Sequence, residues 1–173
     1  MSTIIEMLEV RAKNESKIRA VLKRSIAFNP GTYAPAFPYI EPWVAKEDNK
    51  WKRTVYYLIA GVWALHWREG IGRNQNFPEV CRRLYLEKKK SPSVEKRFIT
   101  LLDADEDEVP YRLRQMVALL RDYPVDFDSL LKDLLSWNHP DKFIQVKWAR
   151  KFYQNEETGN DEVETSKIKG GSR

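Results

Sequence analysis

Few side chains in this protein could perform nucleophilic catalysis. Its 173 residues include two histidines, His66 and His139, and one cysteine, Cys81. Nucleophilic catalysis requires a serine or cysteine, a base beside it and a group that orients the base. His66 ends an apolar segment, His139 lies in a turn before a proline, and Cys81 falls on the apolar stripe of a predicted helix. We therefore assign structural roles to all three side chains and predict that the protein is not an enzyme.

The acidic segment "DADEDE", residues 103–108, is a second candidate for chemistry. A calcium-binding loop places oxygen ligands at alternate positions around a central glycine and closes with a glutamate. This segment has no glycine, and Pro110 follows it closely. The pattern favours a solvated acidic turn that caps a helix, so the sequence predicts no metal and no other cofactor. The alternative is a metal nuclease that uses Asp103–Asp107, which predicts cleavage that depends on a divalent cation.

Cationic side chains recur at six separate places in the chain. One charged helix face is usually only solvated, whereas several in a small basic domain are typical of a surface that binds phosphates. The sequence lacks a zinc finger, a recognition-helix motif and an aromatic RNA-binding sheet, so we expect backbone contacts without base reading. The candidate nucleic-acid-binding residues are Arg19, Lys23, Arg24, Lys52, Arg53, Arg82, Arg83, Lys96, Arg97, Arg112, Arg114, Lys147 and Arg150.

The net charge of +5 is unevenly distributed along the chain. The stretch after Gln154 holds five carboxylates and three cationic side chains, which leaves a net charge of +7 for the residues before it. A basic body with an acidic tail indicates a polyanionic partner. The tail has little to bury, so we predict that residues 155–173 are disordered.

Bulk features of the sequence indicate the compartment. A single cysteine excludes an internal disulfide and favours a reducing environment. No apolar run approaches the length of a membrane span, and the first residues do not form a secretory signal pattern. We expect a cytoplasmic protein that does not enter a membrane.

Helical periodicity dominates the chain, and strand signals are weak. We predict an all-α fold of about eight helices, grouped as two small bundles that pack together, residues 1–75 and 76–154. The segment ending at His66 is apolar on nearly every face and is expected to be central. Between residues 30 and 42 four prolines alternate with aromatic residues, which favours no more than a short helical turn.

Several consecutive segments together resemble one known family. The stretch "SVEKRFITLLDADEDEVPYRLRQMVALLRDYPVDFDSLLKDLLSWNHPDKFIQVKWARKFY" ends at Tyr153 and is similar to the CasB family, the small subunit of the type I-E CRISPR surveillance complex Cascade. The segments that carry the resemblance are Lys96-Arg97, Phe98–Asp105, Leu113-Arg114, Asp126, Leu130–Trp137 and Trp148–Tyr153. The first half, with "IRAVLKRS" and "VYYLIAGVWALH" in the same order as in the family, matches more loosely.

The resemblance implies an all-helical subunit with no catalytic activity of its own. Two copies would lie beside other Cascade subunits and their guide RNA, stabilise the R-loop formed on the target strand and help hold the displaced DNA strand in a basic groove. Arg97 and Arg114 match basic positions of the family well; the pairs Lys23-Arg24 and Lys52-Arg53 match less closely, as does Arg19. The Lys88–Lys90 run and the acidic tail depart from the family pattern, so neither takes a role from it.

A different class of function also fits a basic helical chain. A scaffold or adaptor subunit would use the same cations to bind acidic protein surfaces in a multiprotein assembly. The affinity for random single-stranded DNA distinguishes the two functions, because the scaffold needs none.

Overall fold

A computed structural model describes residues 1–155, all of which lie in helices, turns and loops. The predicted disordered tail, residues 155–173, therefore lies outside the described residues except for its first residue. A short 3₁₀ turn, Ala34–Ala36, precedes the third α-helix. The nine α-helices of the described part are α1 Ile4–Asn14, α2 Lys17–Ser25, α3 Phe37–Val44, α4 Lys50–His66, α5 Phe77–Glu87, α6 Pro92–Leu102, α7 Val109–Leu119, α8 Phe127–Leu135 and α9 Phe143–Phe152. The all-α prediction is confirmed, and nine helices are close to the eight expected.

The proline-rich segment forms more helix than the sequence predicts. α3 has eight residues, with Pro38 in its first turn and Pro42 inside it. A proline in the first turn removes no intrahelical hydrogen bond, because that N–H has no partner in any helix. Pro42 has no N–H to donate to the carbonyl of Pro38, so α3 lacks that one hydrogen bond. Tyr39 and Ile40 are buried, so packing stabilises this short helix.

Side-chain caps are present at four of the nine α-helix starts in the described residues. The side chains of Asn49, Ser91 and Asp126 accept hydrogen bonds from backbone N–H groups in the first turns of α4, α6 and α8. Asn76 does precede α5, but its side chain makes no capping hydrogen bond. Asparagine often caps a helix start, but Asn14 is the last residue of α1 and does not cap α2.

α4 is the central helix of the described fold, as predicted. It packs against α2, α3, α7 and α8. A Cβ on Gly61 would lie 2.8 Å from Ile26 Cγ2, so the close approach of α2 to α4 requires glycine there. Trp51 Nε1 donates to the carbonyl of Leu134 at 2.7 Å, which ties the start of α4 to α8. The division into two bundles at residue 75 stays a prediction.

The three side chains considered for catalysis occupy different environments. Cys81 is fully buried in the core, as predicted, and burial raises the pKa of its thiol. His66 is also buried, and its Nε2 donates to the carbonyls of Tyr123 at 2.7 Å and Leu120 at 3.0 Å. His139 is exposed, and its Nδ1 accepts from the backbone N–H of Asp141 at 3.2 Å. His66 therefore joins the end of α4 to the segment that follows α7.

Helix length and composition also bear on membrane insertion. Within the described residues no helix is both long enough and apolar enough to span a bilayer.

Candidate nucleic-acid interface

The acidic segment between α6 and α7 is a locally hydrogen-bonded turn. Asp105 Oδ1 accepts from the backbone N–H groups of Asp107 at 3.0 Å and Glu108 at 3.1 Å. The five carboxylates of residues 103–108 are exposed to solvent. In residues 1–155, no group of three or more histidine, cysteine or acidic side chains is placed to hold a metal ion. The segment is thus an exposed acidic turn, as predicted, but its N-cap residue Glu108 makes no side-chain capping hydrogen bond to α7.

Arg53 is occupied by contacts within the protein. Its guanidinium donates to Glu41 at 2.6 Å and to the carbonyl of Val44 at 2.6 Å, which ties α4 to α3. The hydroxyl of Tyr57 donates to the same carboxylate at 2.5 Å. The Tyr57 hydroxyl and the Arg53 guanidinium lower the pKa of Glu41, so this carboxylate stays ionised beside Arg53. Arg53 thus acts as a clamp between helices.

Two more candidate cations have acidic partners. Arg83 contacts Glu87 at 3.4 Å and Gln75 at 3.1 Å. Lys147 Nζ lies 2.5 Å from Asp133, whose other carboxylate oxygen accepts from Trp148 Nε1 at 2.7 Å. A cation that already has an acidic partner contributes less to the free energy of phosphate binding, because the phosphate must compete with the carboxylate.

Other candidates make contacts that leave their charge uncompensated. The guanidinium of Arg19 stacks on Trp67 at 3.4 Å from the ring centroid. Arg82 donates to the carbonyl of Gln154 at 2.8 Å. Stacked or carbonyl-bound guanidiniums keep their positive charge and a fixed direction, so they can still attract a phosphate.

Arg114 bridges distant parts of the chain. Its Nη1 donates to the carbonyl of Ile26, which brings α7 against the end of α2, whose last turn carries Lys23 and Arg24. The guanidiniums of Arg112 and Arg114 lie 5.4 and 5.9 Å from the ring centroid of Tyr111. We call the space between these segments the α2–α7 cleft; it encloses about 140 Å³ and is lined by Ser25–Gly31, Tyr33, Ala36, Tyr57, Leu58, Asp107, Pro110, Tyr111 and Arg114.

Six of the thirteen candidates are exposed and lack an ion-pair partner among residues 1–155. They are Lys23, Arg24, Lys52, Lys96, Arg97 and Arg150. The Lys88–Lys90 run is equally exposed at the turn between α5 and α6. These side chains are free to neutralise an external polyanion.

The packing of α5 against both α6 and α9 brings part of the basic set together. A groove of about 230 Å³ runs between the end of α5 and the end of α9, with Arg82, Lys90 and Tyr153 in its lining. The hydroxyl of Tyr153 donates to Glu95 of α6 at 3.2 Å. Lys96 and Arg97 follow Glu95 directly in the chain. Arg53 and Lys147 do not join this groove. Arg53 ties α4 to α3, and Lys147 ties α9 to α8.

Comparison with known proteins identifies the family. The model of the family "CRISPR-associated protein Cse2" matches residues 18–153. A Cse2 protein of Thermus thermophilus is 43% identical over 150 residues, which are 84% of this chain and 86% of that protein. This chain belongs to the Cse2 family, also called CasB. The family resemblance noted in the sequence is thereby confirmed.

Solved structures agree with this assignment. Crystallised CasB from M. ruber is 31% identical, covers 94% of this chain and 98% of its own, and superposes at a TM-score of 0.74. A chain in a CRISPR RNA-guided surveillance complex shares the fold at a TM-score of 0.76, with 21% identity over 92% of this chain and 95% of that one.

Two aromatic residues of this Cse2 protein were not among the candidates from the sequence. Phe28 and Tyr111 are 48% and 51% exposed, and both line the α2–α7 cleft. The sequence does carry a weak signal, because Tyr111 lies off the apolar stripe of α7 and Phe28 follows the end of α2. Tertiary packing places both residues in the lining of one cleft, and a local sequence pattern does not predict that arrangement.

Proposed function

We propose that this protein is the small subunit of a Cascade complex and acts there without catalysing a reaction. It works in the cytoplasm beside other Cascade subunits, their guide RNA and a second copy of itself. It binds nucleic-acid backbone without sequence specificity, stabilises the R-loop and holds the displaced DNA strand. Family membership supports the assembly, and the surface chemistry supports the binding.

The observation that carries this proposal is the set of exposed cations without ion pairs in the described chain. Lys23 and Arg24 extend from α2, Lys96 and Arg97 from α6, and Arg150 from α9. The helix backbones that carry these cations are already ordered before a strand binds, and each neutralised phosphate releases counterions. No base-reading element is needed for such contacts.

Modest contacts are sufficient for R-loop stabilisation. Replacement of a DNA duplex by an RNA–DNA hybrid is nearly balanced in free energy, so backbone contacts can decide the equilibrium. The displaced strand also needs neutralisation at every base composition, because any target can be invaded. A sequence-independent basic surface meets both requirements.

Binding of the full chain to random-sequence single-stranded DNA tests the proposal. We expect saturation with Kd between about 10⁻⁴ and 10⁻⁶ M at physiological salt, with similar values for unrelated sequences. Saturation only well above ~10⁻⁴ M would favour the scaffold function instead. Incubation with Mg²⁺ or Mn²⁺ is expected to leave the DNA intact, and divalent-dependent cleavage would support the metal nuclease.

The assembly is tested separately by purification of the native complex through a tag on this chain. Recovery of guide RNA and other Cascade subunits is the expected result. Recovery of protein partners without RNA would contradict the proposed assembly.

A further inference from the structure

The α2–α7 cleft has a composition that phosphate binding alone does not explain. Phe28 and Tyr33 form a stacked pair at 4.9 Å with an interplanar angle of 14°. Tyr57 and Tyr111 add two more rings to the lining. Phe28 and Tyr111 are about half exposed, 48% and 51%, whereas Tyr57 is buried in the wall of the cleft. Exposed rings in one concave site are typical of a site that binds an apolar or aromatic group.

The polar groups of the cleft favour a planar ring over a phosphate. Arg114 contributes a guanidinium, and its Nε is buried without a hydrogen-bond partner in the described part of the chain. Arg112 and Arg114 both lie close to the ring of Tyr111. Asp107 also lines the cleft, and its carboxylate would repel a phosphate that entered. The same carboxylate can accept a hydrogen bond from the amino group of a base.

The cleft has room for one ring. It encloses about 140 Å³, and an apolar protein cavity of about 150 Å³ accepts benzene. The volume of the cleft is therefore comparable to that needed for a pyrimidine-sized ring. Bases stack on aromatic side chains regardless of sequence, because every base has a π face.

We infer that the α2–α7 cleft receives a single unstacked base of the bound single strand. The base stacks on Phe28 or Tyr111, and its flanking phosphates lie outside near Lys23 and Arg24 of the adjoining turn of α2. This inference rests on the proposed function, since it requires a bound single strand. Stacking of this base would add to the affinity that the backbone contacts provide. It requires a base at that position but accepts any of the four bases.

An abasic substitution separates stacking from charge. A thymidine oligonucleotide and a fully abasic strand of equal length carry the same phosphates, and the second strand offers no base to the cleft. Binding of each to the full chain is measured by fluorescence anisotropy at one salt concentration. We expect the abasic strand to bind about tenfold more weakly, in line with the loss of one stacked base.

Variants assign this difference to the cleft. Tyr111→Leu and Phe28→Leu keep an apolar side chain but remove an aromatic face, so we expect the ratio between the two strands to fall toward one. Phe143→Leu is the matched control, because Phe143 is 46% exposed on α9 and does not line the cleft. It should keep the tenfold ratio.

Each outcome has a distinct meaning. Equal binding of the two strands by the unmodified chain overturns the base-binding cleft and leaves the proposed function intact. A ratio that survives both cleft variants also overturns it, since the stacking would then occur elsewhere. If neither strand binds, the proposed function itself fails, and the cleft would fit an aromatic side chain of a partner subunit instead.

Discussion

Arg97 and Lys96 extend from α6 into solvent without an acidic partner among residues 1–155. Replacement of Arg97 by alanine is expected to weaken binding of single-stranded DNA by ~1 kcal/mol, about fivefold in Kd, because one phosphate contact is lost. Pyrimidine-rich and purine-rich strands should lose affinity equally. The measurement is a titration of labelled strands with each variant. Arg68→Ala is the control, since Arg68 is already paired with Asp122 at 2.5 Å, and it should change Kd less than twofold.

His66 gives a prediction about pH and stability. Burial is the main cause of its lowered pKa, and the carbonyls of Tyr123 and Leu120 only partly oppose it. The unfolded chain therefore takes up a proton near the ordinary value of about 6.5, while the folded chain resists it. The folded state should lose stability as the pH falls below that value and lose none above it.

Melting temperatures between pH 7.5 and 5.5 measure this effect. His66→Gln keeps an N–H donor for the two carbonyls but cannot titrate, so its melting temperature should fall less on acidification. His139→Gln is the matched control, because His139 is exposed, and it should retain the full decrease. An unchanged pH dependence in His66→Gln would show that other groups are responsible.

At the scale of one element, the end of α5 carries a Schellman motif built with lysines. The backbone N–H of Lys90 donates to the carbonyl of Tyr85 at 2.9 Å. The backbone N–H of Lys89 donates to the carbonyl of Leu86 at 3.0 Å. Both lysines have a positive φ, 55° and 56°, where glycine is usual. Lys89→Gly should raise the free energy of unfolding by ~1 kcal/mol, because glycine lacks the Cβ that makes this conformation unfavourable.

Urea denaturation at equilibrium measures this gain as a higher midpoint with an unchanged slope. Lys88→Gly removes the same charge at φ −91°, so it should not raise stability. A gain of equal size in both variants would show that relief of charge repulsion, and not the backbone, explains the effect.

Local periodicity predicts most of the helices, but it does not predict which cationic side chains are paired with neighbours in the fold. The stripe Leu113, Met116 and Val117 is buried as its spacing predicts, because a helix places those positions on one face whatever it packs against. Whether a cation is free depends on its tertiary neighbours. Arg53 meets Glu41 and Arg19 meets Trp67, and neither pairing follows from a helical repeat.

The α2–α7 cleft shows the same limit for the site. Residues 26 and 114 are far apart in sequence, and the hydrogen bond of Arg114 to Ile26 joins them only after α7 packs against α4 and α2 packs beside it. The sequence identifies cations and aromatic rings by type, but it does not show which cations are neutralised or which rings are buried. Their arrangement required the packed core.

At the scale of the whole molecule, the free cations set the salt dependence of binding. The six candidates that are exposed and have no ion-pair partner in residues 1–155 predict a slope of log affinity against log salt of about −4, at ~0.7 per phosphate contact for a single strand. The double variant K96A/R97A should reduce this slope to about −3, because four such contacts remain. Kd values for one random single strand at salt concentrations between about 50 and 200 mM give the slopes.

A second double variant shows whether ion pairing decides which cations bind. Arg83→Ala combined with Lys147→Ala removes two candidates that already have acidic partners, Glu87 and Asp133. If pairing within the protein withdraws a cation from nucleic-acid binding, this variant keeps the slope of the unmodified chain. A slope that falls by the same amount in both double variants would mean that these two ion pairs open on binding, and that Arg83 and Lys147 also contact phosphates. A slope of about −1 in the unmodified chain would mean that the exposed cations do not act together, and it would favour docking to an acidic protein surface.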